Sequence, residues 1–210
     1  MSGPFSKPVR LTPAQLDAIE TDEDSLWERH PERALALAHH TAQLVREKGV
    51  GRTAHPIAAR LSRFVDEEGI DTLAELWAPA DPSSLPGALW RLYLMRQHLM
   101  ARQDVVGDLV ARGLSQLATI DPVIVGAEEP VSAEGVLGIV NQILDGTFSG
   151  ELDVALERAA ALARVVSAGL LEWPAEGEEG PGVAFTALQW EELARALAEA
   201  ARREKAGQLN

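Results

Sequence analysis

The 210-residue sequence contains no cysteine, which excludes disulfide bonds, cysteine-ligated zinc and a thiol nucleophile. It also contains no run of about 18 apolar residues, so no membrane-spanning helix is predicted. The N-terminal stretch MSGPFSKPVR lacks the apolar core that a secretory signal peptide needs. We therefore expect a cytoplasmic protein that does not enter a membrane.

Basic side chains are scarce. The chain has 19 Lys and Arg against 32 Asp and Glu, a formal net charge of −13. Residues 121–210 hold 6 basic and 16 acidic side chains, a net of −10, whereas residues 1–120 carry only −3. Because such a surface repels phosphate backbones, we expect no nucleic-acid binding. The acidic C-terminal part either only keeps the protein soluble or also binds a basic protein partner.

No motif for catalysis or cofactor binding is present. The glycine-rich phosphate-binding patterns, the Gly-x-Ser-x-Gly elbow and the helical His/Glu metal spacings do not occur. His39 and His40 are adjacent, so on a helix they point about 100° apart and cannot grip one metal together. Asp104 and Asp108, one turn apart, could bind a divalent cation, but such pairs are usually solvated. We predict neither a metal site nor a cofactor, and the sequence favours a non-enzymatic role.

The signals that are present are helical. Apolar residues recur at spacings of three and four, and residues that start and end helices separate these segments. Residues 83–117 carry the strongest signal, with Ser84 as the N-cap and Pro86 in the first turn. The sequence predicts an all-α, multi-helix bundle of about seven or eight helices around one long central helix, which we place at residues 83–117.

This segment has apolar stripes on two opposite sides. Leu92 and Leu99 belong to the main stripe, and Trp90 and Leu94 belong to the second. A surface helix needs only one apolar stripe, so we expect protein against both sides, from the same bundle or from a partner subunit.

Two glycines lie in the same segment. Gly107 and Gly113 would each weaken a helix by about 1 kcal/mol relative to alanine. Either glycine could therefore mark a kink or a close helix crossing.

We treat residues 1–210 as a single helical domain with two substructures. Residues 12–120 would form a helical core, and residues 130–210 would add C-terminal helices. Residues 174–182, PAEGEEGPG, are rich in proline, glycine and glutamate and lack any apolar side chain larger than alanine. This composition predicts an exposed acidic loop.

Four residues form the candidate ligand-binding site. Arg96 and Gln103 interrupt the main apolar stripe, and Trp90 and Tyr93 lie nearby in the sequence. Arg96 either lies at the edge of the stripe and reaches water, or is buried opposite a carboxylate or a ligand. Because the four residues span different helix faces, at most some of them could meet in one pocket.

Two functions remain open. The second apolar stripe, the five tryptophans and the acidic C-terminal part favour a non-enzymatic protein-interaction or regulatory module, for example a homodimer. The alternative is a small-molecule-binding helical protein with an internal pocket, which could be an enzyme.

Overall fold

A computed structural model describes residues 30–49, 70–117, 132–145, 148–173 and 186–210. These residues form seven α-helices and no strand, which confirms the predicted all-α bundle. None of the seven is long and apolar enough to cross a bilayer. The helices are α1 (Pro31–Gly49), α2 (Ile70–Trp77), α3 (Leu85–Ala101), α4 (Gln103–Leu117), α5 (Ala133–Leu144), α6 (Leu152–Leu171) and α7 (Ala187–Lys205). Trp27 and the predicted acidic loop at 174–182 lie outside the described residues.

Helix α6 has the largest number of buried residues of the seven described helices. Eleven of its 20 residues are buried. Residues 159–163, which cover more than one full turn, are all completely buried. Helix α7 packs along one side of α6, α4 packs along another, and α5 also contacts it. A helix that is apolar all round is one that other helices enclose.

Residues 83–117 form two helices instead of the one long helix that the sequence predicts. Arg102 leaves the helical conformation at φ −128° and ψ 36°. Its carbonyl oxygen accepts the first N–H bonds of α4, from Val105 and Val106. An unbroken helix here would be about 50 Å long. The break instead lets α3 pack on α1, α2, α5 and α7 while α4 packs on α6.

The start of α3 is held by its own cap and by the end of the described chain. Ser84 accepts a hydrogen bond from a first-turn N–H, as predicted. The N–H of Leu85 donates to the carbonyl oxygen of Asn210 at 2.7 Å. Gly207 adopts a positive φ of 66°, which turns the chain back after α7. Leu209 is consequently buried, with 2% of its surface exposed.

The two apolar sides of α3 are covered to different extents. Leu92 and Leu99 are buried in the main core. Trp90 and Leu94 are half-buried. The Trp90 ring packs against the core and stacks on Tyr93 with ring centroids 5.5 Å apart. The second stripe of α3 is therefore partly covered by the bundle itself.

The described tryptophans pack within the fold. Trp77 is completely buried, and its Nε1–H donates to the hydroxyl of the buried Thr41 at 3.0 Å. Trp190 is also buried. Trp173, at the end of α6, lies under the guanidinium of Arg112, 5.1 Å from its ring centroid. The Thr41 contact matters because an unpaired indole N–H in a core would be costly.

Two glycines bring α4 and α6 into backbone contact. A Cβ added to Gly113 would lie 1.9 Å from the Val165 carbonyl oxygen. A Cβ added to Gly169 would lie 2.0 Å from the Leu109 carbonyl oxygen. In each contact a glycine of one helix faces a carbonyl oxygen of the other, and the two contacts are one turn apart on each helix. Helices α4 and α6 therefore run antiparallel where they cross, and the crossing has no room for a side chain at either glycine. Gly107, in contrast, is exposed and has open space around it.

We expect Gly113→Ala and Gly169→Ala each to lower the free energy of unfolding by about 1–3 kcal/mol, because the new methyl group would push the two helices apart. Gly107→Ala is the matched control. It should raise the free energy of unfolding by up to about 1 kcal/mol, since alanine is the better helix former. Urea unfolding followed by circular dichroism would measure all three. Similar effects at the three positions would contradict the close crossing.

Candidate ligand-binding site

The structure brings together only part of the predicted site. Trp90 and Tyr93 are stacked on one another, whereas Arg96 turns towards α5 and donates from Nε to Asn141 Oδ1 at 2.7 Å. Gln103 is exposed at the first position of α4. None of these four residues lines the cleft described below. That these four residues bind a ligand stays a prediction.

Tyr93 takes part in a hydrogen-bond chain between α3 and α2. Its hydroxyl donates to Asp71 Oδ1 at 2.9 Å and accepts from Gln97 Nε2 at 2.7 Å. Burial and the hydrogen bond to the Asp71 carboxylate raise the pKa of Tyr93. With its hydroxyl satisfied on both sides, Tyr93 ties the two helices together.

The candidate metal-binding pairs do not come together with further ligands among the described residues. Among the described residues, no three His, Asp or Glu side chains come together as a metal-ligating group. Asp104 and Asp108 are exposed, and Asp104 Oδ1 lies 3.6 Å from Arg102 Nε. His39 is half-buried, and that burial lowers its pKa. These positions therefore have the surroundings of surface or packing residues.

A cleft of about 460 Å³ opens where five helices meet. It lies beside the ends of α5 and α7 and the start of α6, with α1 and α3 forming further walls. The residues that line it are Val45, Arg46, Leu89, Ile143, Phe148, Gly150, Glu151, Leu152, Asp153, Glu204 and Lys205.

The apolar lining of the cleft comes from α1, α3, α5, α6 and the residues just before α6. Val45, Leu89 and Ile143 are buried members of the core, while Phe148 and Leu152 are half-buried and pack against it. An apolar group that enters this space leaves water, which stabilises it by about 0.8 kcal/mol for each methylene. The cleft can therefore hold a hydrocarbon chain or ring.

One ion pair holds the charged part of the cleft in place. Arg46 Nη1 lies 3.1 Å from Glu204 Oε2 and 3.5 Å from the carbonyl oxygen of Leu209. The pair joins α1 to α7 and to the C-terminal residues that turn back beneath α3. The guanidinium of Arg46 is thus already bound to acceptors within the protein.

The remaining charged groups of the cleft are not paired in this way. Glu151 and Asp153 form no ion pair with another described residue, and neither does Lys205. Glu151 is the N-cap residue of α6, but its side chain makes no capping hydrogen bond. Two carboxylates and one ammonium group are therefore available to a ligand.

The sequence pattern does not single out any cleft residue as functional. These residues come from five separate segments, and each follows the ordinary pattern of its own helix. Arg46 and Glu204 are 158 positions apart. The acidic residues at the start of α6 are the one local signal, and acids are common at the start of any helix.

The environment of Tyr93 can be tested directly, since it is the chain's single tyrosine. We expect its absorbance titration to have a midpoint above the ordinary value of about 10. Asp71→Ala should lower the midpoint only partway towards that value, because burial is the larger cause of the shift. Glu75→Ala, an exposed acid of the same helix, is the control and should change nothing. An Asp71→Ala midpoint equal to the wild-type one would refute the contact.

Comparisons with known proteins add no family to this description. Family models, curated proteins and solved structures yielded no match to the chain. We therefore infer its function from the geometry and charge of the cleft.

Proposed function

We propose that the protein is a cytoplasmic, non-enzymatic binding protein whose cleft takes a small molecule with an apolar body. The observation that carries this proposal is the cleft of about 460 Å³, with its apolar floor and charged rim. Small-molecule sites typically have about 300–1,000 Å³, mostly apolar walls and a few polar groups that orient the ligand. The volume of the cleft lies in this range, and charged side chains lie beside its apolar residues.

The described lining of the cleft does not offer a hydroxyl nucleophile with a histidine base. Its described lining contains arginine, lysine, aspartate and glutamate, but no serine, threonine or histidine. A nucleophile activated by a neighbouring base is the usual arrangement for covalent catalysis. Charged groups beside an apolar floor instead match the recognition of a ligand with one polar end.

Binding of a protein partner or self-association is the second candidate function. Leu171 and Leu188 are 75% and 62% exposed, at the end of α6 and the start of α7. These helix ends lie side by side, because Ser167 Oγ donates to the Ala187 carbonyl oxygen at 2.7 Å. Neighbouring exposed leucines favour a contact with another protein surface. The net charge of −13 disfavours nucleic acid as that partner.

A neutral amphiphile tests the cleft. We expect 1-octanol to bind with a dissociation constant of about 0.1–1 mM, because burial of about seven methylenes supplies at most about 5–6 kcal/mol. Titration followed by amide NMR should shift the signals of Phe148, Gly150 and Leu152. Leu152→Trp should weaken binding at least about tenfold by filling the cleft.

Leu188→Trp is the matched control, since Leu188 is also a first-turn leucine but lies outside the cleft. It should leave the octanol affinity unchanged, and thermal unfolding would verify that both variants fold. Octanol that fails to bind, or that shifts only residues far from the cleft, would rule out the proposed function.

Self-association has a separate test. If Leu171 and Leu188 form a contact between two copies, sedimentation velocity should show a mass that rises with concentration. The double substitution Leu171→Glu/Leu188→Glu should then give a monomer, because it places charges in an apolar contact. Leu35→Glu, at an exposed leucine of α1, is the control. A wild-type protein that is monomeric at every concentration would exclude the homodimer.

A further inference from the structure

We infer that the ligand of the cleft is an amphipathic cation, with a protonated amine at the rim and its hydrocarbon body on the apolar floor. This inference rests on the proposed function and adds the chemical class of the ligand. The inference depends on two groups of charges in the cleft: those already paired within the protein, and those that a ligand could contact.

The balance of free charge is negative. Of the three acids in the lining, Glu204 is paired with Arg46 at 3.1 Å. The charges that remain unpaired are two negative ones, on the carboxylates of Glu151 and Asp153, and one positive one, on the ammonium group of Lys205. Lys205 is exposed and lies in the last turn of α7, where the carbonyl end of the helix dipole attracts its charge. An incoming cation therefore meets an excess of negative charge.

The start of α6 does not reverse this preference. A helix N-terminus has a partial positive charge and by itself would attract an anion. Here Glu151 occupies the N-cap position and Asp153 lies in the first turn, so carboxylates already supply that negative charge. The ends of α1, α5 and α7 at the cleft are all C-terminal ends with partial negative charge.

The floor of the cleft decides between an organic cation and a metal ion. A divalent cation needs several converging oxygen ligands, and no such group of three occurs among the described residues. Phe148 and Leu152, which are half-buried, instead offer apolar surface in the same lining as the two carboxylates. A metal ion would leave that surface unused, whereas an alkylamine would cover it and place its charge at the rim.

Three ligands of the same length but different charge test the assignment in the intact protein. Octylammonium, 1-octanol and octanoate would be titrated at pH 7 and low salt, where the amine is protonated and the acid is ionised. We expect octylammonium to bind about tenfold more tightly than octanoate, with octanol between them. High salt should shrink this difference, since the carboxylates are partly exposed. Hexylammonium should bind about fourfold more weakly for each methylene removed.

Removal of the two carboxylates should abolish the preference. In Glu151→Gln/Asp153→Asn, the ammonium of Lys205 is the one free charge left in the described lining, so octylammonium affinity should fall to that of octanol or below it, while octanol affinity stays at the wild-type value. The matched control is Asp104→Asn/Glu134→Gln, which neutralises first-turn acids of α4 and α5 outside the cleft. This control should retain the preference for octylammonium, and thermal unfolding would verify the fold of both variants.

The outcomes separate the two proposals. Octanoate that binds as tightly as octylammonium, while octanol still binds in the cleft, would overturn the cation assignment and leave the proposed function standing. A preference that survives in Glu151→Gln/Asp153→Asn would also overturn the assignment. If none of the three compounds binds, the proposed function is overturned and the cation assignment fails with it.

Discussion

The enclosure of α6 is the constraint on which the rest of the structure depends. Its completely buried residues at 159–163 include four alanines, and its Gly169 touches the backbone of α4. Small side chains let neighbouring backbones approach closely, which multiplies weak dispersion contacts over the length of the helix. Helices α4 and α7 both pack directly on α6, and α3 and α5 pack on this three-helix unit.

The two ends of α6 lie at the two surfaces proposed for binding. Its first residues form one wall of the cleft, and its last residue, Leu171, is the exposed leucine of the second candidate surface. A helix of 20 residues is about 30 Å long, so these surfaces are separate. A small molecule at one end and a protein at the other would not compete for the same space.

One lining residue of the cleft, Arg46, contacts the part of the chain that follows α7. Gly207 reverses the chain, Leu209 enters the core, and the carbonyl oxygen of Asn210 accepts from the start of α3. Arg46 then contacts both Glu204 and the carbonyl oxygen of Leu209. The ion pair at the rim therefore links α1 to α7 and to the residues that follow α7.

The amino-acid sequence by itself determined the all-α class and the cap at Ser84, because periodicity and capping depend on residues within one or two turns. It also contained a signal for the enclosure of α6, since this helix is apolar all round at 159–163. Only the tertiary structure decided the break at Arg102, where α3 and α4 pack on different neighbours. The tertiary structure alone also brought Arg46 and Glu204 together, because a contact between residues far apart in the chain leaves no local pattern in the sequence.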